Sequence, residues 1–315
     1  MESMSTSSDL LDPGRAQGRP MRRAGDQLPA YTVVVPCFNE VDGIRGTMTE
    51  LARVTSEAGA EIVAVDDGST DGSFEVLEEI AAAGLVPHLR VVRNVVNQGY
   101  GASIKTGVRR ARSDLIVIID ADGTYPSDRI PDLVEAAADA DMVVGARTHD
   151  HDGQSFVRRM ARSVLRAHCS WLVGERIPDM NSGLRVFRRS VFDQFFKILP
   201  DGFSLTTTLT VATMRNRYSV VFEPIDYSER VGKSKIQPVR DTLRFVQLIL
   251  RTGMYFAPLR VLLPLVLLLS MAFLTSLVYD IFMLENLTDK TVILLLSTMN
   301  TALFGLLADM IDKRS

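Results

Sequence analysis

The chain has 315 residues, 46% of them hydrophobic, a formal net charge of -3 and two cysteines. That length holds one full α/β domain and little besides, so a second large soluble domain is not expected. Cys37 and Cys169 are too few for a disulfide framework or a cysteine zinc site, so a reducing compartment is the default, and the small net charge gives no reason to expect a nucleic-acid partner.

Taken in chain order, residues 1–29 are rich in Ser, Gly, Arg, Pro and Asp and lack an apolar run, so they are expected to be a disordered tail rather than a secretory signal. Tyr31 to Cys37, Glu61 to Val65, Leu89 to Arg93, Leu115 to Ile119 and Asp141 to Val144 are short β-branched runs expected as strands buried on both faces. Between them Gly43 to Ala58, Ser73 to Ala83, Gly101 to Arg112 and Pro131 to Ala140 have helical periodicity. The alternation predicts an α/β fold with a Rossmann-like, mostly parallel sheet, in which ligands gather beyond the carboxyl ends of the strands.

Polar clusters follow four of these strands and should share one edge: Pro36 to Glu40, Asp66 to Ser69, Asn97 to Gly99, and Asp120-Ala121-Asp122. Two carboxylates at D-x-D spacing after an apolar strand can present hard oxygen ligands to Mg²⁺ or Mn²⁺ on a diphosphate. Asp66 is placed to hydrogen-bond a base or ribose. The run from Gly99 to Thr106 is not a phosphate loop, because Ile104 stands where G-x-x-x-x-G-K-[ST] needs its second glycine.

The first half of the chain is acidic up to Asp152, whereas Arg and Lys are frequent from there to Arg260, which suits an anionic partner. Arg158, Arg159, Arg162 and Arg166 recur at helical spacing, and Arg185, Arg188 and Arg189 follow the turn at Ser182-Gly183. Arg groups of this kind match phosphate oxygens. Asp179 reads equally as a base for an alcohol acceptor or as a polar turn or sugar-contact residue. Residues 236–260, including the stretch Asp241 to Phe256, mix apolar residues with Arg244 and Arg251 as interfacial amphipathic helices do. Residues 261–311 contain two apolar stretches, Val261 to Tyr279 and Thr291 to Ala308, expected to form a transmembrane hairpin. Arg251, Arg260, Lys313 and Arg314 flank its outer ends, so the catalytic domain and both termini are expected to be cytoplasmic.

The ordered set VVVPCFNE, VDDGSTDGS, NQGYGAS, DADGTYP, DMNSGLRVFRR and ERVGKSK resembles family-2 glycosyltransferases, in particular the polyprenyl- or dolichol-phosphate mannose synthase group, over Tyr31 to Lys235. The resemblance implies a GT-A domain over residues 30–235 and inverting, metal-dependent transfer of one sugar, with mannose from GDP-mannose favoured, to a polyprenyl or dolichyl phosphate. It implies that Pro36, Phe38, Glu40, Ala64 and Asp66 line the nucleoside pocket. Asp120, Ala121 and Asp122, with Thr124 beside them, would hold the metal and diphosphate. Arg147, Arg230 and Lys235 would face phosphates, and Arg147, Arg162 and Ser182 the acceptor phosphate. Phe38, where the synthases often have Tyr, Thr124, where some have Gln, and a basic loop one residue shorter than in some members leave the sugar and base open, so UDP-glucose and UDP-N-acetylglucosamine remain alternative donors. A processive polysaccharide synthase fits less well, since Gln237-Pro238-Val239-Arg240 is followed by Asp241 where Q-x-x-R-W needs Trp. The other alternative is a noncatalytic nucleotide-sugar-binding scaffold. The hairpin is compatible with a homo-oligomer.

Overall fold

The computed structural model describes residues 29–148, 156–228, 247, 252–284 and 286–312, with side chains undescribed at 156–159 and 161–162. All but the last residue of the expected tail 1–29 and most of the expected interfacial segment 236–260 therefore lie outside the described residues, as do Arg230 and Lys235.

Seven strands form one sheet: β1 (Thr32–Cys37), β2 (Glu61–Asp66), β3 (Leu89–Arg93), β4 (Leu115–Ile118), β5 (Met142–Arg147), β6 (Arg185–Arg188) and β7 (Val220–Ile225), in the order β3-β2-β1-β4-β6-β5-β7. All neighbouring pairs are parallel except those of β6, which runs antiparallel to both β4 and β5. The helices are α1 (Val41–Ser56), α2 (Ser73–Ala82), α3 (Tyr100–Arg110), α4 (Ile130–Ala136), α5 (Phe156–Val173), α6 (Arg189–Phe195) and α7 (Leu205–Arg215).

Strand periodicity divides the core. Val33 and Val35 of β1 and Val117 of β4 face Ile44, Met48, Leu51, Leu77 and Leu133 from α1, α2 and α4. Val34, Ile116 and Ile118 face Ile104, Leu165, Cys169, Phe192 and Leu209 from α3, α5, α6 and α7. Successive residues point to opposite faces, so apolar residues at every position are required once helices cover both sides. β3 departs from the expected two-sided burial: it is the edge strand and its residues are half-buried or exposed.

Two long helices end the described chain: α8 (Pro258–Tyr279), continued by a wider turn over Asp280–Leu284, and α9 (Asp289–Asp312). They pack on each other, and Asp280 closes the turn by accepting from the Thr288 backbone nitrogen at 2.8 Å and from the Thr288 and Thr291 hydroxyls at 2.7 Å each. Their most apolar windows have mean hydropathies of 2.5 and 1.8 and are only 6% and 11% buried, so these are not core helices.

Candidate active site

The parallel run β3-β2-β1-β4 brings the carboxyl ends of four strands to one edge, and hydrogen bonds tie the loops there together. Asn39, after β1, donates its backbone N–H to Ser69 Oγ at 2.9 Å and accepts from the Thr70 N–H at 2.8 Å. Asp67 accepts from Asn94 Nδ2 at 2.7 Å and from the backbone N–H groups of Gln98 and Gly99 at 3.1 and 2.8 Å, which fixes the loop between β3 and α3. Asp66 has a different role. Its Oδ2 accepts from Ser69 N and lies 3.6 Å from Arg93 Nε, while Oδ1 is buried without a partner among the described residues. A buried unpaired carboxylate oxygen calls for a donor from elsewhere.

At the end of β4, Asp120 Oδ1 accepts the Tyr100 hydroxyl at 2.8 Å, and Asp122 Oδ1 accepts the hydroxyl and N–H of Thr124 at 2.7 and 3.2 Å. Removal from water and the charge of Asp122 push the Asp120 carboxyl up to about 6. A pair that resists holding two negative charges is a place where a cation is stabilising. Among the described residues no cluster of three His, Cys, Asp or Glu side chains surrounds a metal position. The two carboxylates Asp120 and Asp122 alone are hard oxygen donors of the kind Mg²⁺ or Mn²⁺ takes, and a cation held there would need its other positions filled by diphosphate oxygens and water.

Two further segments close on this pair. Gly183, in the turn before β6, donates to Tyr125 Oη at 2.7 Å and packs so tightly that an added Cβ would lie 2.6 Å from Asp120 Cγ. Ser228 donates its N–H to Thr124 O at 2.9 Å, and the Tyr227 ring packs edge-on against Tyr125 at 5.0 Å. Thus the chain up to Ser228 is anchored on the D-x-D turn.

Beside it, Arg147 at the end of β5 makes a bidentate pair with Asp179, Nε to Oδ2 at 2.6 Å and Nη2 to Oδ1 at 2.9 Å, with its guanidinium 5.3 Å from the Tyr227 ring centre. Burial opposes ionisation of Asp179, but hydrogen bonds and charge from Arg147 outweigh it and hold the carboxyl below its ordinary range. Arg147, Thr148, Arg166, Asp179 and Asn181 line a polar cavity of about 130 Å³.

A profile described as Glycosyl transferase family 2 matches residues 32–196, just over half of the chain. The chain belongs to glycosyl transferase family 2. A second profile, described as the GtrB C-terminal hairpin, matches residues 257–313 of this family-2 protein and so covers α8 and α9. It is 32% identical over 248 residues to an undecaprenyl-phosphate 4-deoxy-4-formamido-L-arabinose transferase of Pseudomonas fluorescens strain Pf0-1, covering 75% of this chain and 68% of the relative. It is 35% identical over 164 residues to the protein of the same description from Edwardsiella ictaluri, covering 51% of this chain and about half, 49%, of that relative. Glucosyl-3-phosphoglycerate synthase from Mycobacterium tuberculosis, solved in complex with Mn²⁺, UDP-glucose and phosphoglyceric acid, shares the fold at a TM-score of 0.57 and 20% identity, over 75% of this chain and 86% of that one. The GT-A-type architecture of the family-2 domain is thereby shown.

Several expected site residues are placed differently from their sequence reading. Ala64 is fully buried in the core under α1 and α2, and walls no open pocket. Ser182 is likewise buried, its hydroxyl turned onto the Leu184 backbone, so it shapes the turn and does not reach an acceptor. Thr124 is fully buried and donates its hydroxyl to Asp122 at 2.7 Å, which orients that carboxylate. Arg185 is fully buried, donating to the carbonyls of Ser182 and Thr206 and to Thr210, while Arg188 and Arg189 bind backbone carbonyls at the opposite sheet edge. Asp179 is engaged as the partner of Arg147 and is not a base awaiting a substrate. Pro36 is buried at the end of β1, Phe38 is 37% exposed beyond it, Glu40 begins α1, and Ala121 accepts from Thr47 through its backbone. Arg162 lies on α5 with its side chain outside the described set. Tyr100, Tyr125 and Tyr227 carry no role in the sequence reading, since single tyrosines give no spacing signal.

Proposed function

We propose that this protein transfers a single sugar from a nucleotide-sugar to a polyprenyl phosphate, with inversion, at the cytoplasmic face of a membrane crossed by α8 and α9. The observation that supports it best is the meeting, at one sheet edge, of the unpaired Asp66 oxygen, the Asp120–Asp122 pair and the cavity lined by Arg147 and Arg166. These suit nucleoside, diphosphate and acceptor phosphate respectively. The names of the undecaprenyl-phosphate relatives favour the same acceptor class.

Asp66 accepts from the base or ribose, with Pro36, Phe38 and Glu40 alongside. Asp120 and Asp122, oriented by Tyr100 and Thr124, hold a divalent cation that, when bound, offsets charge on the departing diphosphate. Arg147, locked by Asp179, and Arg166 hold the acceptor phosphate, with Arg162 on the same helix. Arg230 and Lys235 belong to the loop that starts just after Ser228 and would close over the phosphates. A phosphate monoester is largely ionised at neutral pH, so its oxygen needs positioning and not deprotonation. That oxygen bonds to the anomeric carbon as the bond from this carbon to the diphosphate breaks, and no enzyme-bound sugar forms.

The donor is read first as GDP-mannose, by the resemblance of the motifs to the mannose synthases. The relatives' names add a nucleotide-activated 4-deoxy-4-formamido-L-arabinose to the candidates. Purified protein in vesicles, given Mg²⁺ or Mn²⁺, undecaprenyl or dolichyl phosphate and labelled nucleotide-sugars including these two, UDP-glucose and UDP-N-acetylglucosamine, should put one sugar into the solvent-extracted lipid. Asp122→Ala should abolish this. Label found only in water-soluble polymer, or no transfer despite nucleotide binding, would overturn the reading, and full activity in Asp122→Ala would overturn the metal assignment.

A further inference from the structure

Helix α5 presents three different faces. Leu165, Cys169 and Leu172 are fully buried in the core. Arg166, on one flank, lines the cavity shared with Arg147. The other flank carries Met160, Val164 and Trp171, at spacings of four and seven residues, which are 53%, 53% and 49% exposed. Residues so spaced form one stripe on a helix of 3.6 residues per turn. A stripe of Met, Val and Trp in water is unfavourable, and its position narrows what could cover it.

That position is the base of the hairpin. Arg260, in the first turn of α8, holds its guanidinium 5.8 Å from the Trp171 ring centre and donates to the Trp171 carbonyl at 3.3 Å. Gly253, in the helical turn over 252–256, is wedged between the two helices, so that an added Cβ would lie 2.6 Å from Val261 Cγ2 and 3.2 Å from His168 Nε2. Phe256 of the same turn is buried with Leu165 and Cys169, while its neighbours Met254 and Tyr255 are exposed. The orientation of α5 is thus pinned to the start of a helix whose apolar surface has little cover among the described residues.

We propose that α5 is a membrane-docking helix, inserting Met160, Val164 and Trp171 into the headgroup region of the bilayer beside α8. The proposal rests on the membrane reading of the hairpin and goes beyond it, because it gives the catalytic domain its own contact with lipid. Tryptophan favours the membrane–water boundary, where its ring is in the apolar zone and its N–H in the wet one. Exposed Arg260, beside Trp171, and Arg176, just past the end of α5, complement anionic headgroups. The arrangement sets the Arg147–Arg166 cavity at headgroup depth, so a lipid-borne phosphate enters it while its tail remains in the bilayer.

Trp171 is the single tryptophan of the chain, so intrinsic fluorescence of the full-length protein reports on this stripe alone. In vesicles of phosphatidylcholine and phosphatidylglycerol, lipids brominated near the headgroup end of their acyl chains should quench Trp171, and aqueous acrylamide should not. The variant M160E/V164E should weaken that quenching and slow transfer to a long-chain polyprenyl phosphate, with transfer to a water-soluble short-chain phosphate unchanged. Quenching by acrylamide alone, in protein that floats with the vesicles, would show the stripe in water and overturn the proposal. Quenching by neither agent would show a protein cover, from residues 229–251 or a second copy, and overturn it equally. Protein that does not float with vesicles would overturn the membrane reading itself, and this proposal with it.

Discussion

Tyr100 stacks on Phe203 at 5.5 Å and from there aims its hydroxyl at Asp120. A neutral donor to a carboxylate is worth about 1.5–3 kcal/mol, so Tyr100→Phe should lower kcat/KM at least roughly tenfold and raise the metal concentration needed for half-maximal rate, with a fall of several degrees in the thermal midpoint. Asp179 acts on the neighbouring subsite through Arg147. Because the folded protein holds this carboxyl below its unfolded value of about 3.9, its stabilisation is complete above that value and is lost as pH falls through the folded one. Asp179→Asn should therefore cost about 2 kcal/mol at neutral pH, discounted for the partial exposure of Arg147, and the gap from wild type should narrow as thermal melts are taken down to roughly pH 3. Its KM for the acceptor should rise more than that for the donor.

The element that sets the geometry of the carboxylates is the turn leading into β6. Since β6 returns antiparallel beside β4, with Ile118 opposite Arg185, the Asn181-Ser182-Gly183 turn is pressed against Asp120. Gly183→Ala would force Asp120 aside, and displacement of a ligand group by about 1 Å costs roughly a hundredfold in rate. Full-length protein with this change should fold, bind nucleotide and lose activity on that scale, which an assay at saturating metal can check. None of this β6 geometry was legible beforehand. β1, β2 and β4 announce themselves as apolar runs buried on both faces, and the four polar clusters after the first strands could be aligned from that alone. β6 is four residues with Arg at both ends, so it reads as part of a basic loop, and Arg185 hides its burial in hydrogen bonds to carbonyls that lie distant in the sequence. β7 carries Glu223 and Pro224, which mask its strand character. The candidate carboxylates were legible because D-x-D is local; the Arg147–Asp179 pair was not, since its members sit on separate elements and meet only through the crossover into β6.

For the molecule as a whole, the proposed orientation of the active site rests on the arrangement of charge around the hairpin. Asp280, capping the turn between α8 and α9 from within, ties down a short connection whose acidic and single basic residues contrast with Arg260 at the start of α8. By the positive-inside tendency, the proposed topology has that turn across the membrane from the catalytic domain. The native thiols make this testable without a cysteine-free background. Cys37 and Cys169 are both buried, and burial pushes each thiol up to about 12, so neither should react with a maleimide in the folded protein. Val95 is 93% exposed in the loop after β3 and Leu287 is 57% exposed in the hairpin turn. In sealed cells expressing full-length protein, a membrane-impermeant maleimide should label Leu287→Cys from outside and reach Val95→Cys only after permeabilisation. The reverse pattern would put the active site outside the cytoplasm, and equal labelling of both in sealed cells would mean that α8 and α9 lie on the membrane without crossing it.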